Sequence, residues 1–301
     1  MVRADRFRVL TGGTGLVAPL ALLLILAVLL QQAWPAIVRF GPGFLTGRVW
    51  NPVSLHFAAL PYIYGTVASA SISLLIAIPV GIGVALFLAE PGQSGLRGAI
   101  GIAVELLAAI PSVVYGLWAL FVMGPFVFKA LETPLNSRFG SFPLFSGTAR
   151  PTSLFTAGLI LAVMVLPTLA SISREVIRAV PGGLREASVA LGATWWETTW
   201  RVILPAARAG IFGAIVLALG RALGETIAVT MTIGNRAQIS PALFEPAYTL
   251  AAVIANEFTE ATAPLHTAAL VELGVVLIGV TLTVNLSALL LLRATGAKAA
   301  S

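Results

Sequence analysis

Leu184–Pro205 reads LREASVALGATWWETTWRVILP and lies between two long apolar stretches. It is too polar to cross a membrane and too regular to be a slack loop. After Pro181-Gly182-Gly183, the residues Leu184, Ala187 and Leu191 share one helical face, with Arg185, Glu186 and Ser188 elsewhere. Gly192 suits the left-handed position just past a helix end. Thr194 and Glu197 have the spacing of a capping box that opens a second helix. Trp196, Trp200 and Ile203 then recur at helical intervals up to Pro205. The spacing predicts helix, glycine hinge, helix. Two readings of the pair stand side by side: a force-transmitting joint on the cytosolic face of a membrane protein, or an amphipathic element lying on the bilayer, which the tryptophans also favour.

The composition around this stretch calls for a membrane. Of 301 residues 58% are hydrophobic and only 10% charged, where soluble domains carry about 25% charged residues. The mean hydropathy is +0.98. A net charge of +6 does not point to nucleic acid, because the basic residues are scattered rather than striped. With no cysteine there are no disulfides, thiolate metal sites or thiol nucleophiles. A membrane helix needs about 20 mainly apolar residues. Six candidates follow, over 14–34, 62–89, 99–124, 153–173, 208–234 and 267–292. The first follows Arg3, Arg6 and Arg8, as a secretory signal would. Its apolar run from Leu16 to Leu30 is long, however, and Gln31–Pro35 is a poor cleavage site, so it reads as an uncleaved span.

Positive charge sets the orientation. With the N-terminus in the cytosol, 11 of the 18 lysines and arginines fall on inside segments, six on outside ones and Arg221 within a span. Both termini and Leu184–Pro205 are therefore expected in the cytosol. The expected fold is an all-α integral membrane protein with six transmembrane helices and a cytosolic coupling-helix pair between spans four and five. It forms a single membrane domain over 1–301, with a cytosolic N-terminus over 1–13, a six-span core over 14–293 and the cytosolic loop over 184–205. The outside segments 35–61, 125–152 and 235–266 are large enough for docking surfaces. Ile110-Pro111 and Leu166-Pro167 place prolines inside spans, where neighbouring helices or hydroxyls must satisfy the freed carbonyls.

The fifth span carries the charges. Arg221 lies 13 residues past Arg208, about 20 Å along a helix, near the bilayer midplane. A charge there costs about 2.5–3.5 kcal/mol on insertion scales. Glu225 is four residues on and on the same helical face, so the two can pair, although base before acid is the weaker order for helix stabilisation. One reading is an ion pair lining a polar pathway, with the arginine's donor fork meeting an oxyanion. The other is a structural interhelical pair. Thr226 and Thr230 extend the polar surface, and Gly220 and Gly224 offer a small-xxx-small contact. Glu105 and Glu272 also fall within spans, facing either a pathway or a protein interface. His56 and His266 have no evident third ligand, so no metal site is expected. The chain's two lysines, Lys129 and Lys298, fit no phosphate-binding loop, and no nucleophile–His–acid set is suggested. The chain is not expected to be an enzyme, and any ATP-driven work needs a partner that binds the nucleotide.

At this point the residues resemble a family. Glu186-Ala187-Ser188, Gly192 and Ile203-Leu204-Pro205 are similar to the EAA motif of bacterial ABC importer permeases. The spacing from Glu186 through Gly192 to Leu204-Pro205 matches, and Ser188 replaces the usual second alanine. Phe44–Pro52, Leu60–Thr66, Ala109–Gly116 and Gly220–Thr226 further resemble the PstC-type permeases of phosphate-specific importers. The resemblance spans roughly residues 40–295. It implies inward movement of inorganic phosphate across the cytoplasmic membrane, with a second, PstA-type permease beside this one. It also implies a cytosolic PstB-type ATPase dimer, holding ATP and magnesium and engaging Glu186, Ala187, Gly192, Leu204 and Pro205. A periplasmic PstS-type phosphate-binding protein would deliver substrate. Besides these the chain contacts membrane lipid and no nucleic acid; no cofactor is expected in the chain itself. The family associates the positions of Arg221 and Glu225 with phosphate passage. A permease for another oxyanion (phosphonate, sulfate or molybdate) is the nearest alternative. A secondary transporter or channel without an ATPase is a further one, against which the EAA spacing argues.

Overall fold

The computed structural model describes residues 2–90 and 95–294, with side chains described over 14–90 and 95–290. Lys298 and the side chains of Arg3, Arg6, Arg8 and Arg293 lie outside that description. Among the described residues, six helical runs are long and apolar enough to cross a membrane. They are Thr14–Phe40 within α1 (Val2–Phe40), α2 (Leu60–Ala89), α4 (Ser112–Phe139), α5 (Leu154–Arg178), α7 (Trp195–Gly224), and Pro264–Leu290 within α10 (Pro264–Ala294). The shorter helices between them include α3 (Gly95–Ala109), α6 (Gly182–Ala190), α8 (Ile227–Thr232) and α9 (Leu250–Glu257). The described residues contain no strand beyond an isolated bridge between Asn51 and His56.

The helix α5 is the hub: 61% of its apolar window is buried, against 0% for α1. Its Ala162, Val165 and Leu169 pack with Ala70 and Ala77 of α2 and Ala214, Ala218 and Ala222 of α7. Small side chains let these three backbones approach closely, which is how helices gain packing energy where lipid removes the hydrophobic drive. At the end opposite α6, aromatic residues close the bundle. Phe44, Phe57, Tyr62, Tyr248 and Leu250 form one core. The Trp50 indole donates to Glu257 at 2.8 Å, His266 Nε2 lies 3.1 Å from the same carboxylate oxygen, and the His266 ring stacks on Phe57. Burial pushes the Tyr248 phenol upward, so it stays neutral while Asn256 donates to it at 2.9 Å.

The third and fifth spans differ from the sequence expectation, and proline accounts for where each of them starts. The third was expected over 99–124, but the chain breaks at Ile110-Pro111 and the membrane-length run is Ser112–Phe139. Proline disfavours the helical region for the residue before it and lacks a backbone donor; Pro111 itself adopts φ −62, ψ 144. Lys129 and Arg138, expected in a loop, ride on the far end of α4. Elsewhere proline does not stop the helix. The π turns Ala119–Met123, Phe128–Glu132 and Thr199–Ile203 each lead into a helical segment with proline in its first two positions, at Pro125, Pro134 and Pro205. A π turn moves the carbonyl four residues back away from the proline ring, which would otherwise clash with it. The second arm of Leu184–Pro205 is therefore not a separate helix ending at Pro205. It runs on from Trp195 to Gly224 as the start of the fifth span.

Candidate functional site

A break that the sequence reading did not expect proves central. The fifth span does not continue as a helix to residue 234; α7 ends at Gly224, and Glu225 is extended at φ −69, ψ 126. Glycine and β-branched, hydroxyl-bearing threonine weaken a helix here, and the threonine hydroxyls bond backbone carbonyls beside the break. Thr226 Oγ1 donates to the Gly224 carbonyl at 3.3 Å and Thr230 Oγ1 to the Thr226 carbonyl at 2.7 Å. Arg221 and Glu225 consequently do not share a helical face. Among the described residues no ion pair joins them, which corrects the expected i,i+4 pair. Glu225 Oε1 instead accepts from the Ala228 backbone N–H at 3.4 Å, at the start of α8. Arg221 remains exposed on the last turn of α7.

A second break faces the first. Tyr115 donates to the Leu107 carbonyl at 2.8 Å, clipping α4 back onto the end of α3 across Pro111. One residue on, Gly116 admits α8: a Cβ there would lie 3.1 Å from Ala228 Cα and 2.6 Å from Met231 Sδ. Ala228 then packs among Tyr115, Ala119, Ile160 and Met164, while Val229 and Ile233 fill a pocket of Leu154, Ala157 and Leu161. The segments Ala109–Gly116 and Gly220–Thr226, far apart in sequence, thus form one locus of two interrupted helices. Interrupted helices with charged side chains beside them are the usual way membrane transporters build a polar site at mid-depth.

Sequence reasoning overlooked the roles of Tyr115 and Gly116. An aromatic four residues past an intramembrane proline is the signal that was available. It also overlooked Glu132, which is fully buried and accepts from Ser153 Oγ at 2.6 Å, and Asn285, whose Nδ2 lies 4.0 Å from where a Gly220 Cβ would stand. Glu105 is exposed on α3, and Glu272 is buried on α10.

At the other end, α6 closes as the sequence predicts. Gly192 has φ +86, its N–H donates to the Val189 carbonyl at 2.9 Å, and Ala193 N–H donates to Ser188 at 3.1 Å. This pair of bonds is the Schellman motif. Thr194 and Glu197 form the reciprocal capping box. The hydroxyls of Ser188 and Thr198 are bonded at 2.9 Å, holding the two arms together. Glu186, Ala187, Gly192 and Pro205 are exposed and Leu204 is half-buried. Leu191 is 89% exposed, and Leu184, Trp196 and Trp200 are also uncovered. Between the arms, Ser188, Leu191, Glu197 and Arg201 border a cleft of about 340 Å³. Nothing within this chain covers that apolar surface among the described residues.

Comparison with known proteins places this arrangement. Residues 77–298 match the family described as binding-protein-dependent transport system inner membrane component. A phosphate transport system permease protein PstC of Mesorhizobium japonicum is 49% identical over 84% of this chain and 79% of its own length. One from Haemophilus influenzae is 44% identical over 89% and 87%. Among solved structures, a bacterial alginate ABC transporter in complex with its alginate-bound periplasmic protein gives a TM-score of 0.63 at 18% identity, covering 97% of both chains. An inward-facing MetNI methionine ABC transporter gives 0.58 at 20% identity, over 77% of this chain and 94% of that one. At such identities the structures speak for the fold alone, that of ABC type I importer permeases. With six membrane-length helices and these relatives, the chain is a multi-pass inner-membrane protein that belongs to the binding-protein-dependent transport system permease family, in its PstC group.

Proposed function

We propose that the chain is the permease subunit through which an ATP-driven importer moves inorganic phosphate across the cytoplasmic membrane. The substrate reading follows the names of the relatives, at 42–49% identity over most of their length. The observation that carries the mechanism is the setting of Arg221, exposed one turn before the interrupted helix and unpaired with Glu225. An arginine so placed offers a planar donor fork to a phosphate oxyanion and offsets part of its desolvation. Glu225 holds the start of α8, and Thr226 and Thr230 keep the broken backbone satisfied, so the four residues form the pathway side of the chain.

The partners follow from what the chain lacks and leaves open. A cytosolic ATPase dimer of PstB type, carrying ATP and magnesium, engages the joint through Glu186, Ala187 and Gly192. Leu204 and Pro205 pass its movement along α7, because the second arm of the joint and the span are one helical run. A PstA-type permease completes the pathway, and a PstS-type periplasmic protein delivers phosphate. Both termini and the joint lie in the cytosol. The test is Arg221→Gln in the assembled complex: phosphate uptake falls by about 10- to 100-fold, the loss expected for one charge-assisted hydrogen bond of about 1.5–3 kcal/mol, while the complex still assembles. Unchanged uptake removes Arg221 from the pathway. Competition by phosphonate, sulfate and molybdate against labelled phosphate decides the substrate; phosphate alone is expected to compete.

A further inference from the structure

The strongest unused feature is a groove along the middle of α10. It has a volume of about 710 Å³ and is lined by Ile37, Leu45, Ile63, Val276 and Val280, with Glu272 at its upper end. Glu272 is 7% exposed, and its Oε2 is buried with no hydrogen-bond partner among the described residues. It lies eight residues past Pro264, about 12 Å along the helix. At that depth lipid tails supply no donor, and an unsatisfied carboxyl group costs several kcal/mol. The groove's floor is equally open to a close neighbour: Gly279, which lines it, has no atom within 4 Å of where a Cβ would stand. Only 6% of the apolar window of α10 is buried by the rest of the chain.

We infer that this groove receives a transmembrane helix of the second permease subunit, which presents a hydroxyl, amide or cationic side chain to Glu272. The exposed Gly279 allows the close backbone approach on which helix association in a membrane depends, and a polar bond fixes its register. A lipid chain would fill the groove but leave the carboxyl oxygen unanswered. The inference rests on the proposed assembly with a second permease. It is tested in the co-expressed complex, with Val276 replaced by the photo-crosslinking residue p-benzoylphenylalanine. Illumination is expected to give a covalent product with the second permease. In parallel, Glu272→Leu lowers recovery of that subunit about three- to tenfold, the span of one interhelical hydrogen bond, and Glu272→Gln, which still bonds, restores most of it. Crosslinks to lipid alone, from a complex that retains the second permease, overturn the groove assignment and leave the assembly intact. Absence of a second permease from the wild-type complex overturns both.

Discussion

At the depth proposed for it, the Arg221 charge costs about 2.5–3.5 kcal/mol, and among the described residues no ion pair offsets it. Its geometry should therefore matter as well as its charge. Arg221→Lys keeps the charge but loses the fork, so phosphate uptake should fall by less than in Arg221→Gln yet well below wild type; equal activity would reduce the role to a point charge. Tyr115 makes a different demand. Tyr115→Phe leaves the Leu107 carbonyl unanswered at the Pro111 break, costing about 0.6–1.7 kcal/mol for an interhelical bond. The expected result is a lower unfolding midpoint of the purified complex together with weaker uptake. Arg221 could be found in the sequence because a charge inside an apolar run stands out. Tyr115 leaves only a faint mark, an aromatic four residues past Pro111, because its value lies in one carbonyl that only the kinked backbone brings within reach.

At the scale of the element, the joint over 184–205 was legible because caps are local chemistry. The Gly192 turn and the Thr194–Glu197 box require only neighbouring residues, and both form as the spacing predicts. Gly192→Ala forces a side chain into φ +86, a penalty of about 1–2 kcal/mol. Thr194→Ala removes a cap worth about 1 kcal/mol. Each should loosen the angle between α6 and α7, so that ATP hydrolysis by the assembled complex persists while phosphate moved per ATP falls. A variant with unchanged coupling would show that the angle is set by the partner. The boundaries that sequence misjudged depend on something non-local in pattern. Proline stops α3 at Pro111 yet rides inside α4 and α7, where π turns precede it. The break at Gly224 likewise needs Gly116 on another span to make room for α8.

For the whole molecule, the alternation of six spans and the concentration of arginine near one face make the orientation a physical claim rather than a label. If both termini are cytosolic, the joint and the segment between α4 and α5 lie on opposite sides of the membrane. A chain with no cysteine makes this directly measurable, since any single introduced thiol is the only one. Leu191→Cys places it at the joint, where the residue is 89% exposed, and Ser141→Cys places it in the exposed turn after α4. In intact cells, with the outer membrane made permeable, a membrane-impermeant maleimide should label the thiol at 141 and spare the one at 191. Opening the inner membrane should expose both unless the ATPase covers the joint, in which case washing that subunit off restores labelling at 191. The reverse pattern would invert the molecule, put the joint in the periplasm, and remove any route for ATP hydrolysis to reach α7.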